Sequence, residues 1–237
     1  MKKILISAIL VINCLYLTPF FSKAQSFPTN QNLFDTIPFI PDHGQKRMER
    51  FRSEPVAYGS IVFLGNSITE MGDWKKLTGD STVINRGIGG DITFGVLKRL
   101  DEVLNRKPSK IFLLIGINDI GKDIPPTVIA DNIKKIIRRI QTESPATKII
   151  LQNLLPVNPT INHFPQHYDK QSKIVETNKL LIGVAKETNV PLVDLNKLFR
   201  DNKGNLQEKY TNDGLHINPG GEGYTIWVNH LKQKGFL

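Results

Sequence analysis

Two apolar runs, Ser60 to Gly65 and Lys110 to Ile115, most constrain what this chain can fold into. In each, large apolar residues follow one another without the polar alternation of a sheet face open to water. Such runs fit strands buried on both faces, which is the habit of parallel sheets. A short strand at Val83-Ile84, another over 148–152 and a last one over Leu192 to Asp194 complete a set of five. Between them the apolar period changes to that of a helix. Val96, Leu97, Leu100, Val103 and Leu104 share one face of a helix that Asp91 starts and that runs to about Asn105. Ile129, Ile133, Ile136, Ile137 and Ile140 do the same between Thr127 and Thr142. Residues 170–188 form a long helix, and Gly220 to Lys234 the last, carrying Tyr224, Trp227, Val228 and Leu231. Strands alternating with helices predict an α/β fold, a five-stranded parallel sheet between two helical layers with right-handed crossovers.

The N-terminus has the form of an export signal. Lys2 and Lys3 give a positive start, Ile4 to Phe21 are mostly apolar, and Ser22-Lys23-Ala24 places small residues at the −3 and −1 positions of a cleavage site before Gln25. Asn13 and Pro19 interrupt the apolar stretch, which argues against a retained membrane anchor. The expected organisation is a signal peptide over 1–24, an N-terminal arm with a short charged helix over 25–56, and a single α/β domain over 57–237. The expected destination is secreted or periplasmic, with no membrane association after cleavage. The only cysteine, Cys14, lies in the signal, so the mature chain has no disulfide and no thiolate chemistry. Three lysines and no acid leave with the signal, reducing the formal net charge from +9 to +6. Lys134, Lys135, Arg138 and Arg139 read as a solvated helix face rather than a nucleic-acid surface, since no basic run is interleaved with aromatics.

Ligands of open α/β sheets sit beyond the carboxyl ends of the strands. Three segments arrive there directly after predicted strands: Asn66-Ser67, the loop Gly87-Ile88-Gly89-Gly90, and Gly116 to Asp119. Ser67 stands at a strand-to-helix turn. Its ordinary alternative is an N-cap, and a serine hydroxyl is a poor nucleophile until a base takes its proton. His216 is the candidate base. Asp213, three residues earlier, is placed to reach Nδ1 and to leave Nε2 for Ser67. The ordinary alternative there is a simple Asp-Gly turn. His230 falls on the last helix and is a poorer base; His163 and His167 lie in a polar loop and read first as surface residues, with contact to substrate as the alternative. Gly90 and Asn118 are the oxyanion-hole candidates, one through a backbone N–H that a glycine lets approach closely, the other through its side-chain amide. The glycine loop lacks both the dinucleotide spacing and the Lys-Ser/Thr of a nucleotide P-loop. No His or acid pair shows metal-ligand spacing, so neither metal nor cofactor is expected.

With Gly65-Asn66-Ser67, Gly90, Gly116-Ile117-Asn118-Asp119 and Asp213-Gly214-Leu215-His216 in this order, the chain resembles the SGNH hydrolase superfamily, also called GDSL esterases, over roughly residues 57–235. The resemblance implies a flavodoxin-like three-layer fold, a triad of Ser67, Asp213 and His216, and an oxyanion hole containing Gly90 and Asn118. Asn66 departs from it, standing where the name-giving motif has Asp. The stretch from Arg86 to Leu100 resembles the branch near platelet-activating-factor acetylhydrolase and the bacterial acetylesterases that act on sugars. The implied activity is a secreted serine esterase removing short acyl groups, acetyl above all, from carbohydrates. Two alternatives stay open: a lysophospholipase or thioesterase acting on lipid acyl esters, and a non-catalytic carbohydrate-binding module on the same fold. The absence of Gly-x-Ser-x-Gly separates the chain from the α/β-hydrolases.

Overall fold

The structure, a computed structural model, describes residues 41–161 and 163–237. The expected signal peptide with its cleavage site, Cys14 and the expected arm over 25–40 lie outside the described residues.

Five parallel strands form the sheet in the order β2-β1-β3-β4-β5: β1 (Ile61–Gly65), β2 (Val83–Gly87), β3 (Lys110–Leu114), β4 (Lys148–Gln152) and β5 (Leu192–Val193). Gly65 pairs with both Gly87 and Leu114, so the loops after β1, β2 and β3 leave the sheet at the same level. The chain steps from β1 outward to β2, then crosses back over β1 to β3. That reversal is the topological switch point where open α/β sheets bind their ligands.

The reversal sends helices to both faces. α4 (Thr93–Leu104), α6 (Pro126–Glu143) and α8 (Gln171–Thr188) pack side by side on one. α2 (Ser67–Glu70), α3 (Trp74–Thr78), α9 (Leu195–Phe199) and α10 (Glu222–Gln233) belong to the other. The isoleucines of α6 expected to share a face are all fully buried. On the opposite face Trp74 stacks on Phe63 at 3.9 Å between ring centroids and meets Trp227 edge-on at 5.0 Å. The polar handles of these rings are satisfied: Trp74 Nε1 donates to Thr69 O, Trp227 Nε1 to Gln152 Oε1, and Tyr224 Oη to Ile68 O. The last bond ties α10 to the short helix that begins at Ser67.

α1 (Pro41–Ser53) is bound to β2, an edge strand. Arg86 of β2 is buried beneath it, 4.4 Å from the Phe51 ring and paired with Glu54 at 2.7 Å and Glu102 at 3.1 Å. Covering a sheet edge in this way removes a template for unwanted strand pairing.

Several local expectations change. β2 extends to Gly87 instead of ending at Ile84, because Asn85 and Arg86 find polar partners on both sides of the strand. α4 starts at Thr93, not Asp91; the Asp91 carboxylate does not serve as its N-cap but accepts from Arg99 at 2.8 Å. α3, α7 (Pro165–Tyr168) and α9 have four or five residues each, too short to leave a period. Among the described residues no helix is long and apolar enough to cross a membrane.

Candidate active site

Asn66 caps α2, accepting the Ile68 N–H on its side-chain oxygen at 3.1 Å. Asn and Asp are nearly equivalent as caps, so the departure at this position leaves the turn intact. Ser67 is then the first helical residue, and its Oγ lies 2.8 Å from His216 Nε2 across 149 residues of chain. His216 Nδ1 is 2.7 Å from Asp213 Oδ2. The other oxygen, Oδ1, accepts the N–H groups of Leu215 at 2.9 Å and His216 at 2.8 Å. Partial burial by itself pushes the Asp213 carboxyl up, but these amides and the imidazole outweigh it and hold the group below its ordinary value. The acid therefore stays ionised opposite Nδ1–H, with Nε2 aimed at the serine.

A strap over residues 163–170 backs His216 and Asp213. Tyr168 Oη donates to Asp213 O at 2.5 Å and accepts from the N–H groups of His163 and Phe164. The Phe164 ring meets His216 edge-on at 5.3 Å. His167, expected from the sequence at the surface, is buried instead: its ring packs against Gly121, where a Cβ would come within 2.5 Å of Nε2. Neither ring nitrogen has a partner among the described residues. Burial first, then the charges of Lys170 and His216, press its pKa down to about 4, so it is neutral in ordinary buffers.

Across the cavity, Gly90 has φ 76°, the left-handed region that glycine enters at little cost. Asn118 lies in α5 (Ile117–Gly121), directly after β3, and one hydrogen of its side-chain amide goes to Asp91 O at 2.9 Å. The other has no partner among the described residues. Beneath these two residues lie two carboxyls with no exposure, Asp91 and Asp119. Asp91 accepts from Arg99 Nε, while Arg99 Nη2 donates to Gly65 O and Arg86 O. Asp119 accepts the Thr93 N–H at 3.1 Å and the Thr93 hydroxyl at 2.5 Å. Burial raises Asp91 to about 6 despite Arg99, and Asp119, which pairs with no cation among the described residues, to about 7. Residue type and spacing do not announce this layer. Asp91 and Asp119 do flank the two oxyanion candidates, but a buried role for an acid is not written in its chain neighbours.

Ser67, Gly90, Asn118 and His216 line one cavity of about 450 Å³ with Met71, Lys122, Phe164, Gln166, His167 and Leu215. A slightly larger hollow of about 500 Å³ between α1 and α4 holds no nucleophile beside a base. The described residues contain no group of three or more His, Cys, Asp or Glu able to hold a metal ion.

The model of the GDSL-like lipase/acylhydrolase family matches residues 63–224. The chain is 32% identical to human platelet-activating factor acetylhydrolase IB subunit alpha2 over 168 residues, 68% of this chain and 70% of that protein. A solved structure from Streptococcus pneumonia, described provisionally as a platelet activating factor, superposes with a TM-score of 0.72 at 34% identity, over 81% of this chain and 92% of that one. A GDSL-like lipase from Bacteroides thetaiotaomicron superposes with a TM-score of 0.69 at 25% identity, over 81% and 96% of the two chains.

Proposed function

The chain belongs to the GDSL-like lipase/acylhydrolase family and is a carboxylic ester hydrolase; on that premise we propose that it is an exported serine esterase that removes short acyl groups, acetyl above all, from carbohydrate hydroxyls. The observation that carries the reading is the 2.8 Å contact of Ser67 Oγ with His216 Nε2, backed by Asp213 at 2.7 Å.

Ser67 Oγ attacks the ester carbon while its proton passes to His216 Nε2. The carbonyl oxygen becomes negative and is met by the N–H groups of Gly90 and Ser67 and by the free amide hydrogen of Asn118. Donors already fixed in place need no reorganisation as that charge develops. The intermediate collapses, the C–O bond to the alcohol breaks, and His216 returns the proton to the leaving oxygen. Water then loses a proton to His216 and attacks the acyl-serine. The second collapse expels Ser67 Oγ, which recovers the proton from His216. Asp213 stays ionised and stabilises the imidazolium in both halves.

The wall of the cavity supports a short acyl group on a polar alcohol. Lys122, Gln166 and Asn118 interrupt the apolar surface of Met71, Phe164 and Leu215. A long acyl chain laid along it would strip water from these groups without replacing their hydrogen bonds. A sugar supplies hydroxyls for them. The acetyl group in the name of the human relative points the same way. The test is kcat/KM on p-nitrophenyl esters of rising length, with acetate release from acetylated xylan and acetylated sialic acid. We expect a maximum at acetyl and a fall of roughly ten-fold or more by octanoyl, from chain atoms that find no matching pocket. Rates that hold or rise with length would assign the protein to lipid esters. Absence of labelling of Ser67 by a fluorophosphonate would assign it to binding alone.

A further inference from the structure

We propose that Glu70 is a positioning residue for the oxyanion hole: clamped by His43 and Arg47 of α1, it holds the Gly89 N–H and so sets the direction of the Gly90 N–H beside it. The proposal rests on the oxyanion role of Gly90 given above.

Glu70 is the last residue of α2, the helix that Ser67 begins. Its Oε2 accepts the Gly89 N–H at 2.5 Å. His43 Nε2 lies 3.0 and 2.9 Å from its two oxygens, and Arg47 Nε 3.4 Å from Oε1. Arg47 also donates to Gly87 O, from Nη2 at 2.8 Å and Nε at 3.2 Å. α1 therefore grips the glycine loop at two points, Gly87 directly and Gly89 through Glu70. The fit is close. A Cβ on Gly87 would come within 2.2 Å of the Glu70 backbone nitrogen, and one on Gly89 within 3.3 Å of Glu70 Oε2 and 3.4 Å of His43 Nε2.

The loop turns sharply here. The Asp91 N–H closes back on Ile88 O at 3.1 Å, and Gly90 takes φ 76°. Within so short a turn, fixing the peptide that carries Gly89 N–H leaves the next peptide little freedom. The Glu70 side chain does not line the Ser67 cavity, so it acts on the site through backbone, and the backbone its carboxylate holds is that of the glycine loop. The consequence is that the nucleophile at one end of α2 and an oxyanion donor are spaced by a single side chain at the other end. An oxyanion donor acts by preorganisation, so loosening it lowers the chemical step more than substrate binding.

The experiment compares Glu70→Ala and Glu70→Gln with Asn118→Ala, reading kcat, KM and melting temperature on each preparation. Glu70→Ala is expected to lose about 10- to 100-fold in kcat, less than a directly removed donor, with KM within about two-fold. Glu70→Gln keeps an oxygen for the Gly89 N–H and is expected to recover most of the loss. Adding Glu70→Ala to Asn118→Ala is expected to cost less than the product of the two losses, because both act on the same charge. A role in stability alone would lower the melting temperature and leave kcat of the folded protein intact, which overturns the proposal. So does an equal loss in Glu70→Gln and Glu70→Ala. If Asn118→Ala is impaired and Glu70→Ala is not, only the clamp falls; if neither variant loses kcat, the oxyanion reading falls and this proposal with it.

Discussion

On one flank of the cavity His216 and Asp213 stand in a loop, with about a quarter of the Asp213 side chain open to solvent. They are held by two backbone amides and by Tyr168. On the other flank Gly90 and Asn118 rest on Asp91 and Asp119, which have no exposure at all. The contrast extends to the acids themselves. Hydrogen bonds hold Asp213 below the ordinary carboxylate value, whereas burial lifts Asp91 and Asp119 well above it. In the proposed reaction the first flank moves a proton, so its acid must remain charged beside the ring that takes it. The second moves nothing; it must present fixed dipoles, and a dry polar layer makes them stiff. The same residue type thus serves as an electrostatic partner on one side and as a buried hydrogen-bond anchor on the other.

The largest expected effect tests the proton-moving flank. Ser67→Ala and His216→Ala should each lower kcat by about 10⁴-fold or more, with melting temperatures close to wild type, since neither supports the core. A variant retaining a few per cent of activity would break the assignment of this flank to chemistry.

Asn118→Ala probes the other flank and should cost about 100- to 1000-fold in kcat at nearly constant KM. Its bond to Asp91 O also shapes the turn, so a modest fall in melting temperature is expected as well. A clear fall in melting temperature with near-normal kcat would make Asn118 scaffold, leaving the hole to backbone amides.

The smallest effect concerns stability and separates the two kinds of acid. Asp119 is raised to about 7 from an ordinary 3.8, so the folded protein binds its proton where the unfolded chain has released it. Its contribution is complete below the unfolded value and is lost as pH rises toward 7. Asp213 has the opposite sign: its contribution is present above the unfolded value and lost as pH falls below it. Melting curves from pH 4 to 8 on wild type and Asp119→Asn should therefore differ in slope. The wild type should lose on the order of 5 °C relative to the variant across the window. Parallel curves would mean that Asp119 is ionised throughout, and that the two flanks differ less than their burial suggests.

Much of the fold is legible in the residue pattern. The strands at 61–65 and 110–114 stand out because a strand buried on both faces must be apolar at every position. The α6 face stands out because eighteen residues give its period room to repeat. β2 hides its full length, since Asn85 and Arg86 break the apolar pattern and are kept in the strand by α2, Glu54 and Glu102. The strap at 163–170 leaves no mark in the pattern: α7 has four residues, and His167 is a polar type buried without a partner among the described residues.

Residue order and type are enough to specify the strand-helix alternation, the succession of the motif residues and the candidates Ser67, Asp213, His216, Gly90 and Asn118. These are local matters, or matters of residue type at short spacing, and local physics is carried by neighbours in the chain. It takes the folded chain to bring Ser67 and His216 together across 149 residues, to give Asp91 to Arg99 instead of the α4 cap, and to set Glu70 on the glycine loop under the grip of α1. Each of those depends on burial and on partners distant in sequence. A carboxylate's role follows from the dielectric and the donors around it, and these exist only once the sheet has brought its loops to one edge.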